Sequence, residues 1–345
     1  MMRTHIMSSV NRQILLASRP VGMIRDDCFR SEDSPMPEIA DGEALVRNIY
    51  LSIDPTIRGW LDDAESYLPP VAIGEVVRCG GIGEIVESNS PNYQLGDIVF
   101  GMIGWQDYSV AGRDGQGMNV LPKGLPLTAA LSVFGVTGMT AYFGMLEIGK
   151  PVEGETVVVS GAAGATGSVA GQIAKINGCR VVGIAGSEAK CAWVRDELGF
   201  DDCINYKTEK IPERLKEACP QGVDVFFDNV GGQILEDVLD RINQRARVVL
   251  CGAISQYNAT QKVPGPSNYM QLVIQRARME GFIIMDYIPR FGEGMMKMGS
   301  WVGEGKVKYS VDVVDGLENA PSAINRLFTG ANNGKLLVKV ADEPG

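Results

Sequence analysis

Residues 157–172 read VVVSGAAGATGSVAGQ, and this stretch is the strongest indication of the fold. A short apolar run leads into Gly161, Gly164 and Gly167, and a helix-like segment follows. Small residues let the chain turn tightly against a pyrophosphate, whose charge is attracted by the free N–H groups at a helix start. A tight strand-to-helix turn without a ligand is the alternative. The surrounding strand and helix favour a dinucleotide-binding turn.

The chain on either side of this turn alternates between apolar runs and helix-like segments. The apolar runs are ETVVVSG, CRVVGIAG, DCINYK, VDVFFDNV, ARVVLCGA and EGFIIMDY. Six such strands with helices between them predict an α/β fold, namely a doubly wound, six-stranded parallel sheet of the Rossmann type.

The first third of the chain has a different texture. Short β-rich runs such as IGEIVES and GDIVFGM are separated by Gly and Pro, which predicts a partly open β-barrel. The closing stretch returns to strand, helix and strand. We therefore predict a substrate and catalytic domain over 1–128, a Rossmann domain over 129–300, and a return to the first domain over 301–345, with a cleft between the two.

Charge and composition exclude several kinds of partner. The 345 residues carry a net charge of −10, which opposes binding to nucleic acid or anionic membranes. No run approaches the roughly 20 apolar residues that span a bilayer, and the opening MMRTHIMSSV lacks the apolar block of a secretory signal. We predict a cytoplasmic protein with no nucleic-acid or membrane partner.

Cysteine and histidine usage limits the chemistry. The seven cysteines are scattered without close C-x2-C pairs, and the one histidine is His5 in a polar leader. A mechanism that needs a positioned imidazole is therefore excluded, and so are most zinc enzymes. We predict no metal site.

The end of the second predicted strand bears on the choice of dinucleotide. Enzymes that use NAD tend to carry a carboxylate there for the ribose hydroxyls. Here Gly186 and Ser187 leave room, Lys190 would meet a 2′-phosphate, and Glu188 argues for NAD. These residues favour NADP only modestly, since Lys190 is otherwise a solvated charge on a helix.

Ordered motifs over nearly the whole chain resemble the medium-chain dehydrogenase/reductases. Within that family the resemblance is to the zinc-free group of leukotriene B4 dehydrogenase/prostaglandin reductases, plant alkenal double-bond reductases and bacterial curcumin reductases. The matching stretches include NRQILLASRP, YLSIDPTIRG, GWQDYSV, GMTAYFGMLEIG, FFDNVGG, VLCGAISQYNAT, RARMEGFIIMDY, DGLENAP and GANNGKLLVKV. The resemblance implies a GroES-like first domain and NADP(H) as cofactor.

The resemblance also implies roles for individual residues. Lys190 and Tyr206, beside Gly186 and Ser187, would hold the 2′-phosphate. The residues of the glycine turn that would hold the pyrophosphate are Gly164, Ala165, Thr166 and Gly167. The residues that would line the nicotinamide half are Thr140, Asn229, Cys251, Phe282, Ile283 and Asn332. Tyr257 matches a tyrosine placed at the nicotinamide ribose and the substrate carbonyl, and is the predicted catalytic residue.

Sequence alone leaves structural interpretations of three of these residues open. Asn229 precedes Gly231 and Gly232, where it would simply tolerate a left-handed turn. Tyr206 would be a half-exposed strand residue, and Tyr257 a loop aromatic that covers the cleft without taking part in chemistry.

The chain departs from its relatives in the loop around Thr56. Where relatives commonly read DPYMRGR, this chain reads DPTIRGW, so it lacks an aromatic at Thr56 and gains Trp60. We expect this departure to change the substrate surface supplied by the loop.

The absence of a predicted metal site and the resemblance to zinc-free reductases together predict the reaction. It is NADPH-dependent reduction of the activated C=C bond of α,β-unsaturated ketones or aldehydes, such as curcumin-like, alkenal or 15-oxo-prostaglandin-like enones. The alternatives are a quinone reductase, an alcohol dehydrogenase and a non-catalytic NADPH-binding protein. The apolar edge strand GFIIMDY, which would be a liability if exposed, predicts a homodimer.

Overall fold

A computed structural model of the chain describes residues 10–344. These residues form two compact units. The first unit comprises the chain up to Thr128, Val313–Thr329 and the chain from Leu336, and the second comprises Ala129–Asp312 and Gly330–Lys335. His5 lies outside the described residues.

The second unit extends past residue 300, where the sequence analysis drew a boundary. A helix over Phe291–Gly303 crosses that position, and its Met298 and Trp301 are buried in the core of the second unit. The segment Gly330–Lys335 also belongs to this unit, where Lys335 N–H donates to the Ser310 carbonyl at 2.9 Å.

The first unit is built mainly of strands. In chain order its elements up to residue 120 are β1 (Val10–Leu16), β2 (Phe29–Pro35), β3 (Ala44–Ile53), α1 (Thr56–Trp60), β4 (Gly80–Ser88), β5 (Ile98–Met102), β6 (Tyr108–Ala111) and β7 (Asn119–Val120).

Helices and strands then alternate. The elements are α2 (Leu127–Leu131), α3 (Val136–Phe143), β8 (Thr156–Ser160), α4 (Ala165–Ile176), β9 (Arg180–Ala185), α5 (Glu188–Ala192), β10 (Asp202–Asn205), α6 (Ile211–Ala218), β11 (Val223–Asp228), α7 (Gly232–Leu239), β12 (Ile242–Leu250), α8 (Gln271–Ile274), β13 (Arg278–Gly281) and α9 (Phe291–Gly303). The chain ends with β14 (Val311–Asp315), α10 (Ala320–Thr329) and β15 (Lys335–Lys339).

The two large sheets differ in type. The six-stranded sheet has the order β10-β9-β8-β11-β12-β13, and all its neighbouring strands are parallel. The seven-stranded sheet has the order β14-β15-β3-β4-β5-β7, with β6 also paired to β3, and β3 is antiparallel to β4, β6 and β15. The predicted fold class, a Rossmann sheet plus a β-rich GroES-like domain, is confirmed.

The parallel sheet is buried on both faces because its strands alternate apolar residues between two cores. Val157 and Val159 of β8 face a core with α3, α4 and α9, whereas Val158 faces a core with α6 and α7. Strands covered on both sides explain the nearly continuous apolar runs in the sequence. Because both faces of the sheet are apolar, polar groups are concentrated at the ends of the strands.

Candidate active site

Five of the predicted site residues occupy equivalent positions in the parallel sheet. Each is the first residue after a strand, from β9 to β13: Gly186, Tyr206, Asn229, Cys251 and Phe282. Because the strands are parallel, these residues lie along one edge, at the carboxyl ends. That edge is where open α/β sheets bind their ligands.

The strand order reverses between β8 and β11, and a buried polar network joins their ends. Asp228 is fully buried, and its carboxylate accepts hydrogen bonds from Ser160 Oγ at 2.7 Å and from the Gly231 N–H at 3.0 Å. Burial raises the pKa of Asp228, and these hydrogen bonds oppose the shift. The network fixes the loop that begins at Asn229.

Asn229 belongs to the same network. Its backbone N–H donates to Ser160 Oγ at 2.8 Å, and its side-chain amide donates to the Ser160 carbonyl at 2.7 Å. The sequence analysis missed Ser160 and Asp228. The signal that would have found them is a carboxylate at the end of the apolar run VDVFFD, where burial requires partners.

The glycine turn has the backbone that a phosphate cradle needs. Gly161 has a φ of 61°, a left-handed value that favours glycine. A Cβ on Gly167 would overlap the Gly161 carbonyl, so Gly167 lets helix α4 approach the turn. Gly164 is the N-cap of this helix, and Ala165 and Thr166 form its first turn with N–H groups at the site edge.

A second cluster lies after β9. The backbone N–H of Lys190 donates to Ser187 Oγ at 3.3 Å, which caps α5. Tyr206 lies against Gly186, where a Cβ would come within 2.9 Å of the Tyr206 hydroxyl oxygen. Glu188 is exposed and pairs with Arg195 at 3.1 Å.

Lys190 lies at the centre of this second cluster and is half-buried. Its Nζ donates to the Gly330 carbonyl at 2.8 Å. Burial lowers the pKa of Lys190, the positive charge of Lys207 lowers it further, and Asp312 opposes both. Lys190 is partly desolvated and Lys207 is exposed nearby, so an anion bound between the two positive charges would reduce their repulsion.

The segment Gly330–Lys335 returns to the glycine turn. The Gly334 N–H donates to the Ala163 carbonyl at 3.2 Å. Asn332 is buried at 8% exposure, and its side-chain amide donates to the Gly334 carbonyl at 3.0 Å. The predicted residue Asn332 therefore lies in the segment that borders the glycine turn.

The other residues predicted for the nicotinamide half lie on separate elements. Thr140 is on α3, and its Oγ1 donates to the Val136 carbonyl at 2.7 Å. The Phe282 ring packs on Gly144 and lies 6.3 Å from the Tyr287 ring in an edge-on arrangement. Ile283 follows it in extended conformation.

Cys251 reaches the surface only in part, and its thiol is desolvated. Burial raises the pKa of Cys251 to about 12, with a smaller contribution from the charge of Asp228. The thiol is neutral at physiological pH, so Cys251 behaves as a small apolar lining residue.

Tyr257 follows the loop after β12 and folds back onto it. The Ala253 N–H donates to the Tyr257 hydroxyl oxygen at 3.2 Å, and this oxygen also lies over Gly252. The loop is anchored by the Cys251 N–H, which donates to the Asp228 carbonyl at 2.9 Å. Hydrogen bonds of the backbone at Cys251 and Ala253 thus connect the Tyr257 hydroxyl to Asp228, at the strand reversal.

In the first unit, the loop that departs from the family pattern has an aromatic partner that sequence analysis missed. Thr56 Oγ1 shares a short hydrogen bond with the Tyr67 hydroxyl. The Trp60 ring lies 6.4 Å from the Tyr67 ring, edge-on, and Arg78 lies 5.8 Å from the Trp60 ring centre. Tyr67 therefore places an aromatic ring beside Thr56.

No group of three or more His, Cys, Asp and Glu side chains among residues 10–344 is arranged to hold a metal ion. No helix in this range is long and apolar enough to cross a membrane.

Comparison with known families and proteins identifies the class. The chain matches the family models "N-terminal domain of oxidoreductase" over residues 12–121 and "Zinc-binding dehydrogenase" over residues 165–301. It belongs to the medium-chain dehydrogenase/reductase family, in the group of curcumin, alkenal and prostaglandin reductases.

Individual relatives span the full chain. NADPH-dependent curcumin reductase of Escherichia coli is 44% identical over 339 residues, with 96% of this chain and 98% of that protein covered. 2-Alkenal reductase (NADP(+)-dependent) of Nicotiana tabacum is 38% identical over 338 residues, with 96% and 98% covered. The crystal structure of CurA in complex with NADPH from Vibrio vulnificus superposes with a TM-score of 0.92 at 44% identity, with 96% and 100% covered.

Proposed function

We propose that this protein is an NADPH-dependent reductase of activated C=C bonds in α,β-unsaturated ketones and aldehydes. The observation that carries the cofactor choice is the cluster after β9. Lys190 is half-buried with Lys207 nearby, while Glu188 is turned outward to Arg195. The carboxylate that would favour NAD is therefore engaged elsewhere. The names of relatives as reductases of curcumin and 2-alkenals support the choice of reaction.

The residues present fit a dinucleotide. The lack of a side chain at Gly186 lets the Tyr206 ring pack against its backbone, and Gly167 brings the start of α4 against the glycine turn. We assign the pyrophosphate to Gly164, Ala165, Thr166 and Gly167, and the 2′-phosphate to Gly186, Ser187, Lys190 and Tyr206. The residues assigned to the nicotinamide half are Thr140, Asn229, Cys251, Phe282, Ile283 and Asn332.

Tyr257 is assigned as the catalytic residue. NADPH, when bound, supplies a hydride for the carbon β to the substrate carbonyl. Negative charge then develops on the carbonyl oxygen, and a neutral hydroxyl such as that of Tyr257 would stabilise it by a hydrogen bond or supply a proton. The Ala253 N–H donates to the same Tyr257 oxygen, which strengthens the hydroxyl as a donor.

We also propose that the protein is a homodimer located in the cytoplasm. The edge strand of the six-stranded sheet is β13, and not the predicted apolar strand GFIIMDY, because the chain forms a 3-10 helix from Ile284. Strand β13 pairs only with β12 among the described strands. The adjacent α8 region exposes four large side chains: Tyr269, Met270, Val273 and Ile274. A second copy would cover both the edge and these apolar groups.

The test is the oxidation of NADPH with a panel of enones and enals beside simple quinones, with NADH as the control and a chelator present throughout. We expect NADPH-selective, chelator-resistant turnover of the enones. Turnover of quinones alone would instead favour a quinone reductase, and binding of NADPH without turnover of any compound would favour a non-catalytic protein.

A further inference from the structure

Five basic residues line a cavity of about 330 Å³ in the second unit, which we call the basic pocket: Lys150, Arg245, Arg247, Arg276 and Arg278. Every residue that lines this cavity is basic. In a chain whose net charge is −10, such a concentration of positive charge stands out.

The basic pocket lies at the opposite edge of the sheet from the candidate active site. Arg245 and Arg247 are the fourth and sixth of the nine residues of β12. Arg278 is the first residue of β13 and lies opposite Arg247 in the strand register. Arg247 precedes Cys251 by four residues along the chain, which corresponds to about 13 Å in an extended strand. The pocket is therefore distinct from the proposed cofactor site.

Acidic neighbours neutralise only part of the charge. Arg247 pairs with Glu155 at 2.5 Å, and Arg278 lies 3.7 Å from Glu280. Burial raises the pKa of Glu155, but hydrogen bonds, mainly from Arg247, outweigh this and keep its pKa below the usual value.

The other three side chains have no carboxylate partner among the described residues: Lys150, Arg245 and Arg276. Three uncompensated cations around one cavity repel one another, and an anion bound between them would remove that repulsion.

The same three residues have left-handed backbones. The φ angle is 44° at Lys150, 65° at Arg245 and 49° at Arg276. Glycine adopts this conformation without strain, and a long side chain does so at a cost.

The turn at Arg276 is an example of a long side chain at a left-handed position that usually carries glycine. Its N–H donates to the Val273 carbonyl at 3.1 Å, and the Ala277 N–H donates to the Leu272 carbonyl at 2.9 Å. This is the helix-ending motif whose left-handed position is usually glycine. At this left-handed position, and at those of Lys150 and Arg245, the chain instead carries a cation that lines the basic pocket.

We propose that the basic pocket binds a small anion of the phosphate or phosphoester class that carries two or more negative charges. One guanidinium group can donate two parallel hydrogen bonds to two oxygens of a phosphate, and Lys150 adds a compact positive charge. The volume lies at the lower end of the range for small-molecule sites, which suits a compact ligand.

The test is isothermal titration of the full-length protein with inorganic pyrophosphate, at constant ionic strength and with saturating NADPH to occupy the cofactor site. The test variant is the triple substitution Lys150→Asn, Arg245→Asn and Arg276→Asn. Asn tolerates left-handed backbone, so we expect this variant to melt at the wild-type temperature or above. The control variant replaces three exposed lysines outside the pocket: Lys123→Asn, Lys216→Asn and Lys262→Asn.

We expect wild type and control to bind one equivalent of pyrophosphate, and the test variant to bind at least about tenfold more weakly. A second titration with ADP separates the ligand sources, since tighter binding of ADP indicates a nucleotide and equal binding indicates the phosphate groups alone. No binding by wild type, or equal weakening in both variants, would overturn the proposal. Lys190 is intact in every variant, so failure here is separate from failure of the cofactor assignment.

Discussion

Tyr206 lies directly over Gly186, with its hydroxyl oxygen 2.9 Å from where a Cβ on Gly186 would be. The two residues follow neighbouring parallel strands, β9 and β10, and lie at the same edge of the sheet. The lack of a side chain at Gly186 thus allows the Tyr206 ring to lie at this place. Tyr206 is 43% exposed, so the ring can be displaced without unfolding the domain.

Gly186→Ala should therefore weaken NADPH binding while leaving the melting temperature within about two degrees of wild type. The added methyl group displaces Tyr206 and narrows the space for the 2′-phosphate. Fluorescence titration with NADPH and thermal denaturation measure the two effects. Unchanged NADPH affinity would show that neither residue contacts the cofactor.

Lys190→Ala should weaken NADPH binding by about 10- to 100-fold and NADH binding by less than about threefold, because only NADPH carries the 2′-phosphate. The dissociation constants of both cofactors measure this. Lys216→Ala, at an exposed position on α6, is the matched control and should change neither. Equal losses for NADPH and NADH in Lys190→Ala would refute the 2′-phosphate assignment.

Tyr257→Phe should lower kcat for an enone by about 10²-fold and change the NADPH dissociation constant by less than about threefold. The hydroxyl is needed where charge develops, whereas the ring still fills the loop. Steady-state kinetics and NADPH titration separate the two quantities. Tyr269→Phe removes a hydroxyl from a side chain that is 59% exposed and should leave both unchanged. An unchanged kcat in Tyr257→Phe would remove Tyr257 from the catalytic role.

Gly167→Ala should destabilise the second unit by about 1–3 kcal/mol, since its Cβ would overlap the Gly161 backbone and the helix would have to move. Gly299→Ala tests the opposite case, because a Cβ on Gly299 in α9 meets open space and should be neutral or stabilising by up to about 1 kcal/mol. Urea denaturation measures both. Equal stability of the two variants would contradict the close approach of α4 to the glycine turn.

Cys251 should react slowly with iodoacetamide at pH 8, because a pKa of about 12 leaves roughly a thousandth of the usual thiolate. The raised pKa contributes stability that is fully present below the ordinary thiol value of about 8.5 and is lost as the pH rises towards 12. Peptide mass spectrometry follows labelling, with guanidinium-unfolded protein as the fast control. Labelling of the folded protein at the unfolded rate would contradict the desolvated position.

Sequence was sufficient for features that depend on short stretches of chain. The run Val157–Gln172 predicted β8, the turn and α4, because apolar continuity and small residues act locally. The six-stranded parallel sheet was predicted from the alternation of apolar runs with helix-like segments, whereas the order of its strands is known only from the structure. Asn229, Cys251 and Phe282, which follow three of these strands, were predicted from the resemblance to a protein family and not from a local pattern.

Contacts that depend on how strands, turns and loops meet in the folded chain could not be predicted from the sequence. Ser160 and Asp228 are 68 residues apart, and their hydrogen bond exists only because β8 and β11 are neighbours at the strand reversal. The ion pair of Glu188 with Arg195 forms because α5 is followed by a π-helical turn, Trp193–Glu197, that brings Arg195 within reach of Glu188. The contact of Tyr67 with Thr56 depends likewise on loop geometry that no residue pattern specifies.

The position of the transferred hydrogen in the product distinguishes reduction of the C=C bond from reduction of the carbonyl. The protein is incubated with an enone and NADPH carrying deuterium at the transferable position of the nicotinamide, and the product is analysed by mass spectrometry and NMR. The account predicts a saturated ketone with one deuterium on the carbon β to the carbonyl. An allylic alcohol with deuterium on the carbonyl carbon, or recovery of the unreacted enone, would contradict it.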